Sequence, residues 1–283
     1  MNNIQGWILP ILFGGALLFA VPYLVSPLIK RSGLMRANFK GDIIPTAFGL
    51  IPLIICVGLI LLDILFVGPR LYGTYFHSLN AFLFIVIIFG WLGFVDDLYG
   101  SHDARGLKGH LKAFFNGQVT SGLIKAIGGL IAGFLSAYFI LNEPIVHSLI
   151  SGLLIALTAN FINLLDLRPG RAMVPFCILA PLVFLVTMKS YGYETHAILY
   201  VWLGALRILL MDVRGKAMLG DTGSNLLGAA LGLAIVLSSG IYVQLGLVIV
   251  LLLVHILTEK YSISSMIERY SVLHAIDRML GVR

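Results

Sequence analysis

The chain has 283 residues, of which 59% are hydrophobic and 11% are charged, and its formal net charge is +6. Soluble domains carry about 25% charged residues. This composition, with a mean hydropathy of +0.99, therefore excludes a soluble globular protein and indicates a polytopic membrane protein. The positive charge does not indicate nucleic acid as a partner, because its meaning depends on where the basic residues lie relative to the membrane.

Long apolar runs predict an all-α fold with about nine transmembrane helices, at approximately 7–29, 43–67, 79–96, 121–141, 146–165, 172–188, 196–212, 222–239 and 241–257. With these spans, all but two of the 19 lysines and arginines lie on one side, and the exceptions are Arg70 and Lys189. The positive-inside rule then places the N-terminus outside and the C-terminus in the cytoplasm of a multi-pass cell-membrane protein. We expect one transmembrane catalytic domain over residues 1–258 and a cytoplasmic amphipathic tail over residues 259–283.

The cytoplasmic connections hold several candidate phosphate ligands. Lys40 follows the first span and can reach an anionic ligand, while the hydroxyl of Thr46 is suited to cap the second helix. The alternative is an ordinary cap beside a lysine that merely follows the positive-inside rule. Lys112 lies in a basic, glycine-broken segment after the third span, where it can bind phosphate as a point charge.

Two adjacent carboxylates, Asp96 and Asp97, end the apolar run over residues 81–95. An ionisable residue at membrane depth costs about 2.5–3.5 kcal/mol on insertion scales, so its presence indicates a function. The pair suggests a cation site, a proton relay or a phosphate-handling site. The alternative is that both residues mark the water interface at the end of a helix.

The fifth span ends in a polar stripe formed by Asn160, Asn163 and Asp166, which helical spacing places on one face. Lipid cannot satisfy such groups, so the stripe faces protein, water or a ligand. Hydrogen bonding between helices is the alternative to a ligand site. Arg168 and Arg171 follow at once, and their guanidinium forks suit phosphate oxygens.

The eighth span opens with a Gly-Asp-Thr-Gly-Ser turn that contains Asp221. A helix start exposes backbone N–H groups and the positive end of a dipole, which suit an anion. Asp221 can also hold a divalent cation that itself binds phosphates. Plain helix capping is the alternative.

These polar groups share the predicted cytoplasmic ends of the spans and the inner connections. Acids mixed with bases on one face suit Mg²⁺ together with a pyrophosphate, because a cluster of carboxylates alone would repel itself. In the tail, apolar residues recur at helical spacing over residues 263–280 and predict an amphipathic helix in the inner membrane interface.

Three segments resemble, in order, the central motifs of a known superfamily: FVDDLYG at 94–100, NLLD at 163–166 and LGDTGSNLLG at 219–228. They are similar to those of the polyprenyl-phosphate N-acetylhexosamine-1-phosphate transferases (glycosyltransferase family 4), the superfamily of phospho-MurNAc-pentapeptide translocase. The segment 39–49 likewise resembles the family's lysine-glycine, proline-threonine loop after its first helix.

The resemblance implies transfer of a sugar-1-phosphate from a UDP-sugar to polyprenyl phosphate, with release of UMP, for cell-envelope glycopolymer synthesis. It implies Mg²⁺ as cofactor with Asp221 as its ligand, Asp96 as the residue that deprotonates or orients the lipid phosphate, and Asp97 as its support. The remaining implied substrate ligands are Lys40, Lys112, Asn163 and Asp166. Three further candidate substrate ligands do not come from the resemblance itself: Thr46, Arg168 and Arg171. The family further implies a homodimer whose active site faces the cytoplasm.

The chain also departs from the family's pattern. Pro169 stands where the family usually has a further acid, the family's histidine-rich loop has no counterpart after the ninth span, and an amphipathic tail replaces its final helix. A catalytically silent paralogue that binds a polyprenyl phosphate or regulates a partner is therefore the second hypothesis. A transporter is the third, although the paired broken helices and inverted repeats of transporters are not recognisable in the sequence.

Overall fold

The computed structural model describes residues 5–66, 73–100, 106–191 and 195–279, and Arg70 lies outside this part of the chain. Apart from one short hairpin and the connecting turns, the described residues are helical. The helices are α1 (Gln5–Arg31), α2 (Leu50–Phe66), α3 (Thr74–Tyr99), α4 (Gly106–Phe115), α5 (Ser121–Leu135), α6 (Ile145–Leu165), α7 (Met173–Tyr191), α8 (Ala197–Val213), α9 (Gly220–Ser238), α10 (Ile241–Thr258), α11 (Ile263–Arg269) and α12 (Ser271–Met279).

Each of the nine predicted spans falls on a helix of the structure. Within the described residues, six helical segments are long and apolar enough to cross a membrane, which indicates a multi-pass membrane protein: Pro10–Arg31, Tyr75–Tyr99, Ser121–Ile140, Ile145–Leu165, Gly220–Ser238 and Ile241–Thr258. The helix over Leu50–Phe66 and the segment Met173–Val186 are apolar but shorter, and α8 has 17 residues.

Two details of the predicted elements are wrong. The second span was predicted from residue 43, but strand β1 (Met35–Ala37) pairs antiparallel with strand β2 (Ile43–Pro45), and α2 begins only at Leu50. Thr46 therefore does not cap α2; its backbone N–H instead donates to the carbonyl of Leu34. The tail is two short helices, α11 and α12, because Tyr270 takes an extended conformation between them.

Helix α9 forms the centre of the bundle and packs mainly against α3 and α6. Almost every residue of α9 is buried, and small residues make this possible. A Cβ on Gly93 of α3 would collide with the carbonyl of Asp221, and one on Gly228 of α9 would lie 2.6 Å from Ala159 Cα of α6. These glycines bring the backbones of three helices together close to their polar ends.

A polar cluster lies near the N-terminal end of α3, around the buried carboxylate of Asp63 on α2. Its Oδ2 atom accepts hydrogen bonds from the hydroxyls of Tyr75 (3.0 Å) and Tyr200 (2.9 Å) and contacts His196 Nε2 at 2.6 Å. Tyr75 and Asp96 are 21 residues apart on one helix, or about 32 Å at 1.5 Å per residue. The Asp63 cluster therefore joins α2, α3 and α8 far from the residues predicted to act on a ligand.

Candidate functional site

The ends of four helices bring together side chains that lie far apart in the sequence. Asp96 comes from the last turn of α3, Asn163 from the last turn of α6, and Asp221 from the first turn of α9. The fourth group is Lys125 from the first turns of α5. Three of these four residues were predicted as site residues, and Lys125 was not.

Lys125 forms two ion pairs at the centre of the cluster. Its Nζ atom lies 2.7 Å from Asp96 Oδ2 and 2.7 Å from Asp221 Oδ2. The Lys125 side chain is only 14% exposed, so the ammonium balances two carboxylates in a setting that water screens weakly. In the sequence, Lys125 was counted among the basic residues of an inner connection. The available signal was its position within an apolar helix, where a charge is costly and needs partners.

Asp97 points away from Lys125 and caps helix α9 from outside. Its Oδ1 atom accepts from the N–H of Asp221 (3.0 Å), and its Oδ2 atom accepts from the N–H (2.9 Å) and hydroxyl (2.6 Å) of Thr222. Helix α9 has no side-chain cap of its own at Leu219, so a carboxylate from α3 binds the free N–H groups and the positive end of the helix dipole. Gly220 makes this possible, because its φ of +74° favours glycine and a Cβ there would lie 2.8 Å from the Asp97 carboxylate.

The side-chain amide of Asn163 bridges Lys125 and Asp221. With its amide oxygen towards Lys125 Nζ (3.1 Å), its nitrogen donates to Asp221 Oδ1 (2.9 Å) and to Ser224 Oγ (2.7 Å). The opposite amide orientation would set the oxygen against acceptors. Asn163 thus belongs to the cluster and holds Asp221 in place.

A surface pocket that is open to solvent lies beside this cluster. It is lined by Asn38, Phe39, Ile44, Asp166, Leu167, Arg168, Pro169, Asp212, Ala217 and Met218. Arg168 lies 5.1 Å from the centre of the Phe39 ring, within the range of a cation–π contact. The pocket therefore offers an aromatic face, a guanidinium group and carboxylates at one place.

Asp166 connects the pocket to the cluster, because it lies just beyond α6 in the pocket wall. Surrounding protein atoms remove water from its carboxyl, and the nearby carboxylates of Asp212, Asp221 and Asp97 add repulsion; together they raise the pKa of Asp166 well above its usual range. This shift works against the charged form of the Asp166 carboxyl.

The remaining predicted ligands have surroundings of their own. Lys40 is exposed, with its ammonium 5.4 Å from the centre of the Phe39 ring. Thr46 is buried in the turn before α2, and Lys112 is exposed on α4. Arg171 is buried and its guanidinium binds residues of the tail rather than facing the pocket.

The cluster is suited to Mg²⁺ by the type of its donors. Among the described residues no group of three or more His, Cys, Asp and Glu side chains has a metal-binding arrangement. Mg²⁺, however, is commonly held by one or two carboxylates together with substrate phosphates. Asp96 and Asp221, with the amide oxygen of Asn163, supply that donor set around the position of the Lys125 ammonium.

The likeness to known proteins rests on short motifs around these site residues. The segments FVDDLYG, NLLD and LGDTGSNLLG supply Asp96, Asp97, Asn163, Asp166 and Asp221, and the structure places these residues at neighbouring helix ends. Lys125 lies outside all three segments. No protein-family model matches the chain, and no curated protein matches it either.

Proposed function

We propose that this protein transfers a sugar-1-phosphate from a UDP-sugar to polyprenyl phosphate and releases UMP. The observation that carries the proposal is the convergence of Asp96, Asn163 and Asp221 from three helices on the single ammonium of Lys125. Phosphoryl transfer needs positioned cations and acids more than covalent chemistry, and this cluster offers both beside a pocket.

The chemistry is an exchange of one P–O bond for another. An oxygen of the lipid phosphate attacks the β-phosphorus of the UDP-sugar, and the bond from that phosphorus to the bridging oxygen breaks to release UMP. Asp96 accepts or orients the proton of the attacking phosphate. Lys125 is the cation of the cluster. When the substrate phosphates replace Asp96 and Asp221 as its partners, its ammonium neutralises their charge.

Asp221, with Asp96 and Asn163, is the residue that would hold Mg²⁺. A bound Mg²⁺ supplies charge neutralisation and polarises phosphoryl oxygens. Asp97 acts through structure in this scheme, since it fixes the first turn of α9 and thereby the position of Asp221.

The pocket is our candidate for the nucleotide part of the donor. The exposed ring of Phe39 offers a face for a planar base, and Arg168 offers donors for a phosphate. The exposed ammonium of Lys40 extends the positive charge at this end of the molecule. Asp166 adds a carboxyl group to the same wall.

The orientation belongs to the same proposal. With nine spans and the N-terminus outside, the last turns of α3 and α6 and the first turn of α9 would lie at the cytoplasmic face of the cell membrane. UDP-sugars are made in the cytoplasm, and polyprenyl phosphate is held in the membrane, so both substrates would meet there. The product would serve synthesis of a cell-envelope glycopolymer, and a homodimer is part of the expected assembly.

The test is a turnover assay with purified protein, undecaprenyl phosphate, Mg²⁺ and a panel of UDP-sugars, read as UMP release. We expect Mg²⁺-dependent release by the wild type and its loss in Asp96→Asn and Asp221→Asn. Asp42→Asn is the matched control, because Asp42 is exposed in the turn between the two strands. UMP release that continues in both cluster variants would contradict the assignment of the site.

A second function is favoured by one observation. The Lys125 ammonium balances the charges of Asp96 and Asp221, as expected for a protein that binds a lipid phosphate but has no catalytic cycle. Undecaprenyl phosphate binding that is independent of Mg²⁺, in folded protein that releases no UMP from any donor, would favour this silent paralogue over the enzyme.

A further inference from the structure

The segment after α6 is held by the C-terminal tail through a buried ion pair. Arg171 and Asp277 are 106 residues apart, yet Arg171 Nε lies 2.9 Å from Asp277 Oδ1 and Nη2 lies 2.8 Å from Asp277 Oδ2. The remaining nitrogen, Nη1, donates to Ser264 Oγ at 3.0 Å. The Arg171 side chain is 5% exposed, so the tail provides its counter-charge in a dry setting.

A second ion pair lies nearby, at the edge of the pocket, and it is of a different kind. Arg168 Nη2 is 3.8 Å from Glu268 Oε1, and the Glu268 side chain is 64% exposed. Arg168 also lines the pocket. A long, exposed pair is weak and is readily replaced by a stronger anion, whereas a buried bidentate pair persists.

We infer that the tail helices α11 and α12 act as a clamp on the pocket, anchored by Asp277 on Arg171, in which Glu268 competes with anionic ligands for Arg168. The structure separates the two tasks. Asp277 and Ser264 hold the clamp, and Glu268 occupies the guanidinium that an incoming phosphate group requires. The clamp lowers the affinity of the pocket for phosphate without closing it.

This inference rests on the proposed function in one respect, namely that the pocket receives phosphate groups. Its probe is inorganic pyrophosphate, titrated by calorimetry into the purified full-length protein in detergent. Glu268→Gln is the first variant, because Glu268 is exposed and its replacement does not disturb the fold. We expect pyrophosphate to bind about two- to fivefold more tightly to this variant, the strength of an exposed ion pair.

The anchor is tested by Asp277→Asn with trypsin cleavage after the exposed Arg269 as readout. Loss of a buried charge partner releases the tail, so cleavage becomes about tenfold faster or more. Pyrophosphate affinity rises as in Glu268→Gln, and the double variant gains no more than either single one. Arg278→Gln, which removes a charge from the exposed surface of the same tail, leaves both readouts at the wild-type level.

Three results would overturn the clamp. These are unchanged or weaker pyrophosphate binding in Glu268→Gln, a gain that persists when Arg168→Gln is added, and wild-type cleavage in Asp277→Asn. Absence of pyrophosphate binding in every variant counts against it equally. UMP release is not part of this test, so a protein without transferase activity can still confirm the clamp.

Discussion

The capping of α9 by Asp97 leads to a graded prediction for two substitutions at one position. Asp97 is 4% exposed and accepts three hydrogen bonds from the first turn of α9. Asp97→Ala leaves the N–H groups of Asp221 and Thr222 buried without an acceptor. Each such group costs about 1–3 kcal/mol, so we expect a loss of about 2–6 kcal/mol in the free energy of unfolding.

Asp97→Asn has nearly the same shape and keeps one oxygen, which can serve one of the two N–H groups. The Thr222 hydroxyl can rotate to accept from the new amide nitrogen. One N–H group then lacks its acceptor, and the expected loss is about 1–3 kcal/mol. Asp42→Ala, at an exposed position, should stay within about 0.5 kcal/mol of the wild type.

The assay is reversible unfolding in mixed micelles with increasing SDS, followed by circular dichroism. Hydrogen exchange gives a second readout, because the N–H groups of Asp221 and Thr222 should exchange faster in both Asp97 variants. An Asp97→Ala variant as stable as the wild type, or less damaged than Asp97→Asn, would refute the capping role.

Three further predictions concern separate parts of the fold. Gly93→Ala drives a Cβ into the backbone of α9. If α3 cannot shift to make room, the loss in the free energy of unfolding, measured with SDS, should exceed the about 1–3 kcal/mol that is typical of overpacking. Gly15→Ala on α1, where a Cβ would meet open space, should be neutral or slightly stabilising. Lys125→Met leaves its two carboxylate partners without a counter-ion, so Mg²⁺ should raise the thermal midpoint of this variant more than that of the wild type, and equal responses would argue against a cation site. Asp63→Ala should lower stability by about 2–4 kcal/mol, since the hydroxyls of Tyr75 and Tyr200 and the ring of His196 lose the carboxylate that they share, while Tyr75 and His196 keep their mutual contact. Any UMP release should keep its wild-type rate, and a large loss of rate would show that the distant cluster acts on the site.

The helices were predictable from the sequence because a long apolar run in a membrane must satisfy its own backbone hydrogen bonds, which a helix does. The meeting of Asp96, Asn163 and Asp221 was also within reach, since alternation of spans places the ends of α3, α6 and α9 on one side. Span boundaries were less certain. The second span was predicted to start at residue 43, but α2 starts at Leu50. The prediction failed because the apolar residues of strand β2 were included in the apolar run.

The pairing of charges was beyond the sequence. Lys125 lies 29 residues from Asp96 and 96 residues from Asp221, and no local pattern states which acids it reaches. Arg171 was predicted to bind a ligand, but the structure pairs it with Asp277 of the tail. In both cases tertiary packing chooses among several oppositely charged partners, and that choice leaves no periodic signal.

The central position of α9 has a consequence for the order in which the protein is built. Asp97 and the N–H of Asp221 are 124 residues apart, so during synthesis α3 enters the membrane long before the helix that it caps. Among the six described segments that are long and apolar enough to cross a membrane, helix α9 has the lowest mean hydropathy, 1.3, and most of its residues are buried. It therefore gains little from lipid and much from a groove between α3 and α6 that already exists. We expect the earlier helices to associate first and α9 to complete the bundle, so that the site is assembled only near the end of translation.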